Sequence, residues 1–335
     1  MKILHLRHNE IDRVRWDATI GQSLCDLPYA YSWYLDVVCS MWEALVTEDY
    51  AYVMPLPLKK KWGISYLIHP IWVQQLGVFS AHEVTTEIFE SFRRRIPYLM
   101  YDFNINYLNK DCASSLVSRV SCLKFLSKIN LIIPHRKDID AIRKNYNSNT
   151  KRNIAKAQKA GLTIREVKIE EFVSLWKSEN ATIRWDLHST IQPLVKECTM
   201  HNAQSTILSL GEKCTIIDSH YNTCFSKIGE QFKPYLFGVY KDNQLVAALF
   251  GMQTRGRFIY LIPVSNREGK ECSAMFLLVD YILENICCTQ GLTFDCEGSM
   301  IEGVARFYRG FGAQEQPYAS ISRCRPHWLV RLMHR

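Results

Sequence analysis

The chain has 335 residues, and its 41 lysines and arginines outnumber its 33 aspartates and glutamates, which gives a formal net charge of +8. Hydrophobic residues make up 47% of the sequence and charged residues 22%. This composition is typical of a globular protein and excludes a disordered chain, a collagen and a coiled-coil rod. At roughly 100–200 residues per domain, the length predicts about two domains.

The sequence does not begin with the pattern of a signal peptide, because charged residues and histidines interrupt the apolar stretch of residues 1–12. No window approaches the ~18–20 apolar residues of a membrane span. We therefore expect no transmembrane segment and a cytoplasmic location. The twelve cysteines are irregularly spaced and form no C-x-x-C pair. This spacing predicts reduced thiols and no metal site.

The positive charge is concentrated in residues 136–168, which hold ten basic and three acidic residues, a local charge of +7. The last 15 residues add four arginines and no acid, so the rest of the chain is slightly acidic. A basic segment on a nearly neutral protein indicates a surface for a phosphate-bearing partner. The alternative is a helix face that is simply solvated.

Strands and helices alternate in the first 135 residues, which indicates an α/β fold. An aromatic-rich stretch at 26–40 leads into a helix, and a second helix is predicted at 81–95. From 138 to 161 the sequence is helical, but the poor helix formers at 145–150 predict a break, after which Thr150 caps a second helix. The predicted strands are 42–46, 50–58, 64–69, 98–104 and 131–134.

The second helix of this segment carries the basic face. Arg152, Lys156 and Lys159 are spaced i, i+4 and i+7 and therefore share one side of the helix, with Lys151 beside them. Another side is mostly small and apolar, which predicts close packing on the rest of the protein. These four basic residues are candidates to contact the phosphates of a tRNA or a CoA, or an acidic lipid or glycan acceptor.

The second half of the sequence is predicted to continue as strands and helices. A strand at 162–167 is followed by helices at 169–184 and 191–210, and Trp185 and Asp186 lie in the connection between them. A loop at 266–270 precedes a long helix at 273–287, and a short helix covers 301–309. The predicted strands here are 235–240, 245–253, 258–263, 292–296 and 317–322.

Two short segments form a faint internal repeat. Tyr66-Leu67-Ile68-His69-Pro70 and Tyr260-Leu261-Ile262-Pro263 are similar apolar segments that each follow a basic turn. A repeat at this distance favours two related domains over two unrelated ones.

Several motifs of the second half resemble those of the GNAT acyltransferases. Residues 237–248, Phe-Gly-Val-Tyr-Lys-Asp-Asn-Gln-Leu-Val-Ala-Ala, look like the central hairpin of that family. Residues 304–313 look like its final motif, a helix that runs into a Phe-Gly turn. The order Phe311-Gly312, the basic helix at 149–162 and residues 294–299 are similar to the FemABX branch, whose members carry two GNAT-like domains in one chain.

This resemblance implies an α/β fold with a mixed sheet and two GNAT-like domains in tandem. We expect a degenerate N-terminal domain in residues 1–135 and a basic helical junction in 136–168. The C-terminal domain, 150–335, is expected to hold the better-matched donor site. The implied activity is that of an N-acyltransferase, which moves an acyl group from an acyl-CoA-type thioester to an amine acceptor.

The segment before the long helix departs from the family's phosphate-binding pattern, Arg/Gln-x-x-Gly-x-Gly/Ala. It has one glycine, and its two glutamates repel an anion. Backbone N–H groups at a helix N-terminus and nearby cations are still expected to bind the phosphates of acyl-CoA. The residues expected to do so are Arg267, Gly269, Lys270, Ser273 and Ala274.

Because of this departure, two other functions remain open. One is a Fem-type transfer of an amino acid from aminoacyl-tRNA to a peptidoglycan precursor, so that the partners would be tRNA and a cell-wall or glycan precursor. The other is a non-catalytic module of the same fold that binds nucleic acid or an anionic surface.

Acyl transfer to an amine needs a deprotonated amine, a donor carbonyl held close to it and a proton for the leaving group. Tyr308 aligns with the tyrosine that many GNAT enzymes use as a general acid, although it could instead be packed in its helix. Asp295 and Glu297 lie two residues apart at a strand end and point to one side, so they are candidates to bind or deprotonate the amine. The alternative for this pair is a structural role. Trp185 and Asp186 are candidates to line an acceptor pocket.

Overall fold

The computed structural model describes residues 1–39, 41–117, 120, 123–181, 189–199 and 232–323. Within these ranges the chain divides into two compact units. The first unit contains residues 1–128 and 317–323, and the second contains residues 129–199 and 232–316. No helix in the described ranges is long and apolar enough to cross a membrane. The eight described cysteines are free thiols.

The first unit is built on a mixed sheet. Strands β1 to β4 pair in sequence order as antiparallel neighbours, and β4 then pairs in parallel with β6. The short β5 pairs with β3, and the C-terminal strand β13 runs antiparallel to β6. Its elements are β1 (Ile3–Leu6), α1 (Arg13–Gln22), α2 (Ser32–Val38), β2 (Trp42–Thr47), β3 (Tyr52–Lys61), β4 (Ile64–Ile68), β5 (Phe79–Ser80), α3 (Thr86–Arg95), β6 (Tyr101–Ile105) and α4 (Lys110–Val117), followed in space by part of β13 (Gln314–Arg323).

The second unit has the same plan. Strands β8 to β11 are antiparallel neighbours, β11 pairs in parallel with β12, and β12 pairs with the end of β7. A helical segment at 189–199 and a π-helical turn at Leu283–Cys288 add to it. Its elements are β7 (Leu123–Ile133), α5 (Ile139–Arg143), α6 (Ser148–Lys159), β8 (Thr163–Glu166), α7 (Ile169–Glu179), β9 (Lys233–Lys241), β10 (Gln244–Gln253), β11 (Arg257–Ser265), α8 (Arg267–Glu271), α9 (Ala274–Ile282), β12 (Thr293–Asp295) and α10 (Glu302–Gly310).

The two units therefore repeat one topology, in which an antiparallel meander is followed by a helical crossover to a parallel strand. In each unit the parallel strand pairs in turn with a strand from the other half of the sequence. In the first unit β6 pairs with β13, and in the second β12 pairs with β7. The repeat segments that begin at Tyr66 and Tyr260 fall on β4 and β11, the strands that occupy equivalent places. The predicted α/β fold with two tandem domains of one type is confirmed. The boundaries predicted at 135, 136–168 and 150–335 stay a prediction.

The hairpin between β9 and β10 shows how local sequence fixes the core of the second unit. Asp242 and Asn243 both have positive φ, 47° and 64°, as a two-residue type I′ turn requires. Asp and Asn tolerate this conformation better than most residues, so the turn sets the register of the strands. The strands bring Val239, Leu249 and Phe258 into a core that α9 covers.

The helical break predicted at 145–150 is confirmed, but its cap was assigned to the wrong residue. The capping residue is Asn147 and not Thr150. The side chain of Asn147 accepts a hydrogen bond from the backbone N–H of Thr150, at 2.8 Å. Thr150 is buried, and a Cβ on Gly310 would lie 2.5 Å from its hydroxyl oxygen. Packing of α6 against α10 therefore takes the threonine out of the capping position. Gly161 ends the segment with φ +67°, as predicted.

Candidate functional site

A cavity of about 450 Å³ opens in the second unit beside the end of β11 and the first turns of α9 and α10. β12 ends at its pair Ile259–Asp295, whereas β11 continues to Ser265. The cavity begins where β11 passes the end of its parallel partner, and its volume falls in the usual range for a small-molecule site. Its walls are largely apolar, from Met275, Phe276 and Phe307, and two tyrosines line it as well.

Tyr308 and Tyr260 are these tyrosines. Both are almost fully buried, and their rings meet edge to face with centroids 5.9 Å apart. Burial raises the pKa of Tyr308 well above its ordinary value, and the charges of Glu297 and Asp295 act in the same direction. Within the described ranges the Tyr308 hydroxyl forms no hydrogen bond. Tyr308 therefore stays protonated at neutral pH and lines a cavity with an unused donor.

Asp295 lies at the end of β12 and is fully buried. Its carboxylate forms an ion pair with Arg257 Nη1 at 2.8 Å and accepts a hydrogen bond from Asn130 Nδ2 at 2.9 Å. It also accepts the backbone N–H of Glu297 at 2.9 Å. With these partners, Asp295 fits the structural alternative better than the role of a base, because a buried carboxylate in an ion pair is not presented to a substrate.

The turn after β12 holds Glu297 in an unusual conformation. Glu297 and Gly298 have φ values of 58° and 86°, and a left-handed backbone is uncommon for glutamate. The turn is fixed by two side chains, since Asp295 accepts the N–H of Glu297 and Asn130 accepts the N–H of Gly298 at 2.5 Å. A residue strained in this way and held from two sides is typical of functional sites.

The segment predicted to be a phosphate-binding loop is the short helix α8 instead. Asn266 caps it by accepting the N–H of Gly269 at 2.8 Å, and the N–H of Ser273 is bound by the carbonyl of Lys270 at 3.2 Å. Two of the three expected backbone donors are therefore used within the chain. The N–H groups of Ala274 and Met275 have no acceptor in the described ranges, as is usual at a helix N-terminus.

Gly269 has a packing role that its spacing did not indicate. A Cβ at this position would lie 2.2 Å from the carbonyl oxygen of Val246 and 2.6 Å from Ser265 Oγ. Only glycine lets α8 approach β10 so closely. Gly269 lines the cavity through its backbone, but its N–H is not available to a ligand.

The charges on and around α8 are largely neutralised. Arg267 forms an ion pair with Glu271 at 2.9 Å, and Lys241 forms one with Glu268 at 2.7 Å. The two glutamates expected to repel an anion are thus each paired with a cation. Lys270 lines the cavity, is exposed and lies 3.5 Å from a carboxylate oxygen of Glu179.

The basic face of α6 is exposed, and other residues of the same helix pack against α9. In the described ranges none of its cations is ion-paired, and Arg152 donates only to the side chain of Asn149, at 3.0 Å. Asn153 of the same helix accepts a hydrogen bond from Ser273, which lines the cavity, at 2.9 Å. At 1.5 Å per residue the basic row spans about 12 Å along the helix. Its members are Lys151, Arg152, Lys156 and Lys159.

Of the predicted site residues, Tyr308, Gly269, Lys270 and Ser273 line the cavity. Trp185 and Asp186 lie outside the described residues. The sequence reasoning missed Tyr260, although the internal repeat began at that residue. It also missed the contacts of Asn130, Asn153 and Arg257, because their partners are distant in the sequence.

Comparison with known proteins identifies this arrangement. Residues 214–299, about a quarter of the chain, match the model of the acetyltransferase (GNAT) domain family. The crystal structure of FemX is similar over 100% of both chains, with a TM-score of 0.55 and 12% sequence identity. None of the curated proteins compared matches the chain in sequence.

Two further solved structures share the fold. A domain attributed to a lysylphosphatidylglycerol synthetase from Agrobacterium fabrum has a TM-score of 0.54 and 10% identity, over 96% of this chain and 95% of that one. A tandem GNAT protein from the clavulanic acid biosynthesis pathway has a TM-score of 0.50 and 9% identity, over 96% and 97%.

The domain match assigns the chain to the acyltransferase class of enzymes, and the solved structures share its fold. The resemblance of the sequence to the GNAT superfamily is confirmed by the domain match over residues 214–299, and the chain shares its fold with FemX.

Proposed function

We propose that the second unit transfers an acyl group from an acyl-CoA thioester to the amine of an acceptor, with the donor in the cavity beside β11. The observation that carries this proposal is the position of Tyr308, a buried and protonated tyrosine whose hydroxyl is not hydrogen-bonded in the described ranges and which lines that cavity. A thioester supplies an activated acyl group, and the chain supplies position and a proton.

The transfer balances as follows. The free amine nitrogen bonds to the acyl carbon, and the carbon–sulfur bond of the thioester breaks. Tyr308 donates its proton to the leaving sulfur, and the nitrogen gives up its extra proton. Glu297, held beside Tyr308 by the strained turn, is the proposed acceptor of that proton or the group that holds the amine. In this scheme Asp295 and Asn130 are positioning residues.

Backbone N–H groups at the start of α9 are the proposed contacts for the donor's phosphates. Ala274 and Met275 offer them, and the helix dipole favours negative charge there. The side chain of Lys270 adds positive charge at the cavity wall. Arg267, which is 93% exposed and paired with Glu271, and Gly269, whose N–H is occupied, are not part of this proposed contact.

The test combines binding and turnover. Calorimetry with acetyl-CoA is expected to show binding to the wild-type chain and to Tyr308→Phe with equal affinity. The turnover of Tyr308→Phe with a panel of amines is expected to fall roughly 10²–10⁴-fold. Tyr281→Phe is the matched control, because Tyr281 packs on Phe237 and does not line the cavity. No heat with either acetyl-CoA or longer acyl-CoAs, or full turnover in Tyr308→Phe, would contradict the proposal.

A second candidate function is aminoacyl transfer from tRNA to a peptidoglycan precursor. The basic row on α6 favours it, because four cations that lack carboxylate partners in the described ranges span about 12 Å, more than a pyrophosphate needs. Charged tRNA should then bind with a steep salt dependence, and combined replacement of Arg152, Lys156 and Lys159 by alanine should flatten the slope by about three contacts' worth. A slope that does not change excludes this candidate. If tRNA binds in that way but no donor supports transfer, the chain is a non-catalytic binding module.

A further inference from the structure

Gly303 is a glycine that neither the backbone nor the packing of the described residues explains. It is the second residue of α10, and a Cβ built on it would meet no atom within 4 Å. Gly63 and Gly161 have similar free space, but their φ values of +79° and +67° explain glycine there. Gly303 has no positive φ.

A glycine within a helix has a measurable cost. Relative to alanine it destabilises a helix by roughly 0.5–1 kcal/mol, because it loses more backbone freedom on folding. Gly303 also lines the cavity and is exposed, so a larger side chain at this position would have open space beside the candidate donor site. A bound molecule that approaches the backbone closely is the general reason for such a glycine.

The surroundings of Gly303 specify the chemistry of that molecule. Val304, Met275 and Phe276 share the cavity wall with it, and each is partly exposed. On the chain just before α10, Met300 and Ile301 are 63% and 67% exposed, which is uncommon for large apolar side chains next to one another. Met300 and Ile301 do not themselves line the cavity, but the partly exposed apolar side chains that do line it indicate an apolar ligand.

The nearest charged side chain on this turn does not change that conclusion. Glu302 is exposed, and its carboxylate lies 3.7 Å from Arg309, about two turns further along the helix. This pair runs along the outside of α10, and neither residue lines the cavity. Of the residues that line the cavity only Lys270 is charged, and those nearest to Gly303 along α10, Val304 and Phe307, are apolar.

We propose that Gly303 determines the size of the acyl group that the site accepts, and that this group is an apolar chain larger than acetyl. The inference rests on the proposed function, in which the cavity binds the acyl donor. It adds the class of acyl group and the residue that selects it.

The test compares two donors and two substitutions. Acetyl-CoA and octanoyl-CoA are titrated by calorimetry into the wild-type chain, Gly303→Ala and Gly303→Leu. The wild type is expected to bind octanoyl-CoA at least ~10-fold more tightly than acetyl-CoA, because burial of even two methylenes corresponds to about that factor. Gly303→Leu is expected to lose this preference and to keep its affinity for acetyl-CoA, with Gly303→Ala in between.

Arg306→Leu is the matched control, because it adds the same side chain to the same helix at an exposed position that does not line the cavity. Gly303→Ala also guards against misfolding, because alanine is expected to raise the melting temperature. Equal binding of the two donors by the wild type, or an equal loss for both in Gly303→Leu, would overturn the inference alone. Absence of binding with both donors would overturn the proposed function and the inference with it.

Discussion

The hydroxyl of Ser273, the residue before α9, donates a hydrogen bond to the side-chain oxygen of Asn153 on α6, at 2.9 Å. Ser273 has a left-handed backbone, φ 61°, and its side chain does not cap its own helix. The first N–H groups of α9 therefore remain without a side-chain cap next to the cavity. The same contact holds the basic helix against this helix start.

Replacement of Asn153 tests that contact. Asn153→Ala removes the acceptor and is expected to lower the free energy of unfolding by about 0.5–1.5 kcal/mol, the usual net value of a hydrogen bond. Binding of the donor should weaken as well, because the start of α9 is no longer held in place. Urea denaturation and calorimetry measure the two effects. Gln158→Ala, on the same helix and exposed, is the control, and equal losses in both variants would show that the contact contributes nothing.

The Asp295–Arg257 pair leads to a prediction about stability. Asp295→Asn keeps the shape but leaves the cation of Arg257 buried without its carboxylate, and breaking a buried pair in this way costs about 3–5 kcal/mol. The expected result is a large drop in the urea midpoint. Asp242→Asn in the β9–β10 turn is the control, because asparagine also suits a left-handed turn and no change is expected.

An active-site base would give a different result for Asp295→Asn. Activity would then fall while the free energy of unfolding stayed near that of the wild type. The double variant Asp295→Leu with Arg257→Met separates these outcomes further. Because it removes both charges, it should recover part of the stability lost in Asp295→Asn. A double variant that is no more stable than Asp295→Asn would contradict the structural role.

Two glycines near helix starts are expected to respond to alanine in opposite directions. Gly269→Ala places a methyl group 2.2 Å from the carbonyl oxygen of Val246, so α8 must shift, at a cost of typically 1–3 kcal/mol. Gly303→Ala meets no atom within 4 Å and is expected to stabilise the chain by up to ~1 kcal/mol. Thermal unfolding of both variants checks the prediction. Equal shifts of the melting temperature would contradict the close packing of α8 on β10.

Elements that depend on local chemistry could be predicted from the sequence. The β9–β10 hairpin lies within the predicted motif at 237–248, where Asp242 and Asn243 suit the turn, and α6 ends where the predicted helical stretch ends, at Gly161. The prediction of a glycine-containing loop at 266–270 is wrong, because Gly269 is required by the close approach of α8 to β10 and not by a turn. The cap of α6 was misassigned because Gly310, far along the chain, buries Thr150.

The candidate site was less accessible to sequence reasoning. Tyr308 was found through its motif, but the burial that raises its pKa comes from Tyr260 and the core around it. The sequence could not decide between a catalytic and a structural role for Asp295, because its partners are distant in the sequence. Asn130 is 165 residues away and Arg257 is 38 residues away, and no local pattern connects either one with Asp295.

Two buried titratable groups of the first unit make its stability depend on pH in opposite directions. Burial raises the pKa of Asp17 to about 6, so the folded state binds this proton more tightly than the unfolded state, and stability falls as pH rises from about 4 to 6. Burial lowers the pKa of His69 to about 4, so stability rises from about 4 to 6.5. The two contributions nearly cancel in the wild type.

Asp17→Asn is therefore expected to show an increase of stability from pH 4 to 6.5, on the order of 3 kcal/mol, that the wild type lacks. Urea denaturation at pH 4, 5, 6 and 7 measures it, with Asp242→Asn as the exposed control. A profile of Asp17→Asn parallel to that of the wild type would contradict the raised pKa of Asp17. It would show that Asp17 does not offset the contribution of His69 in the wild type.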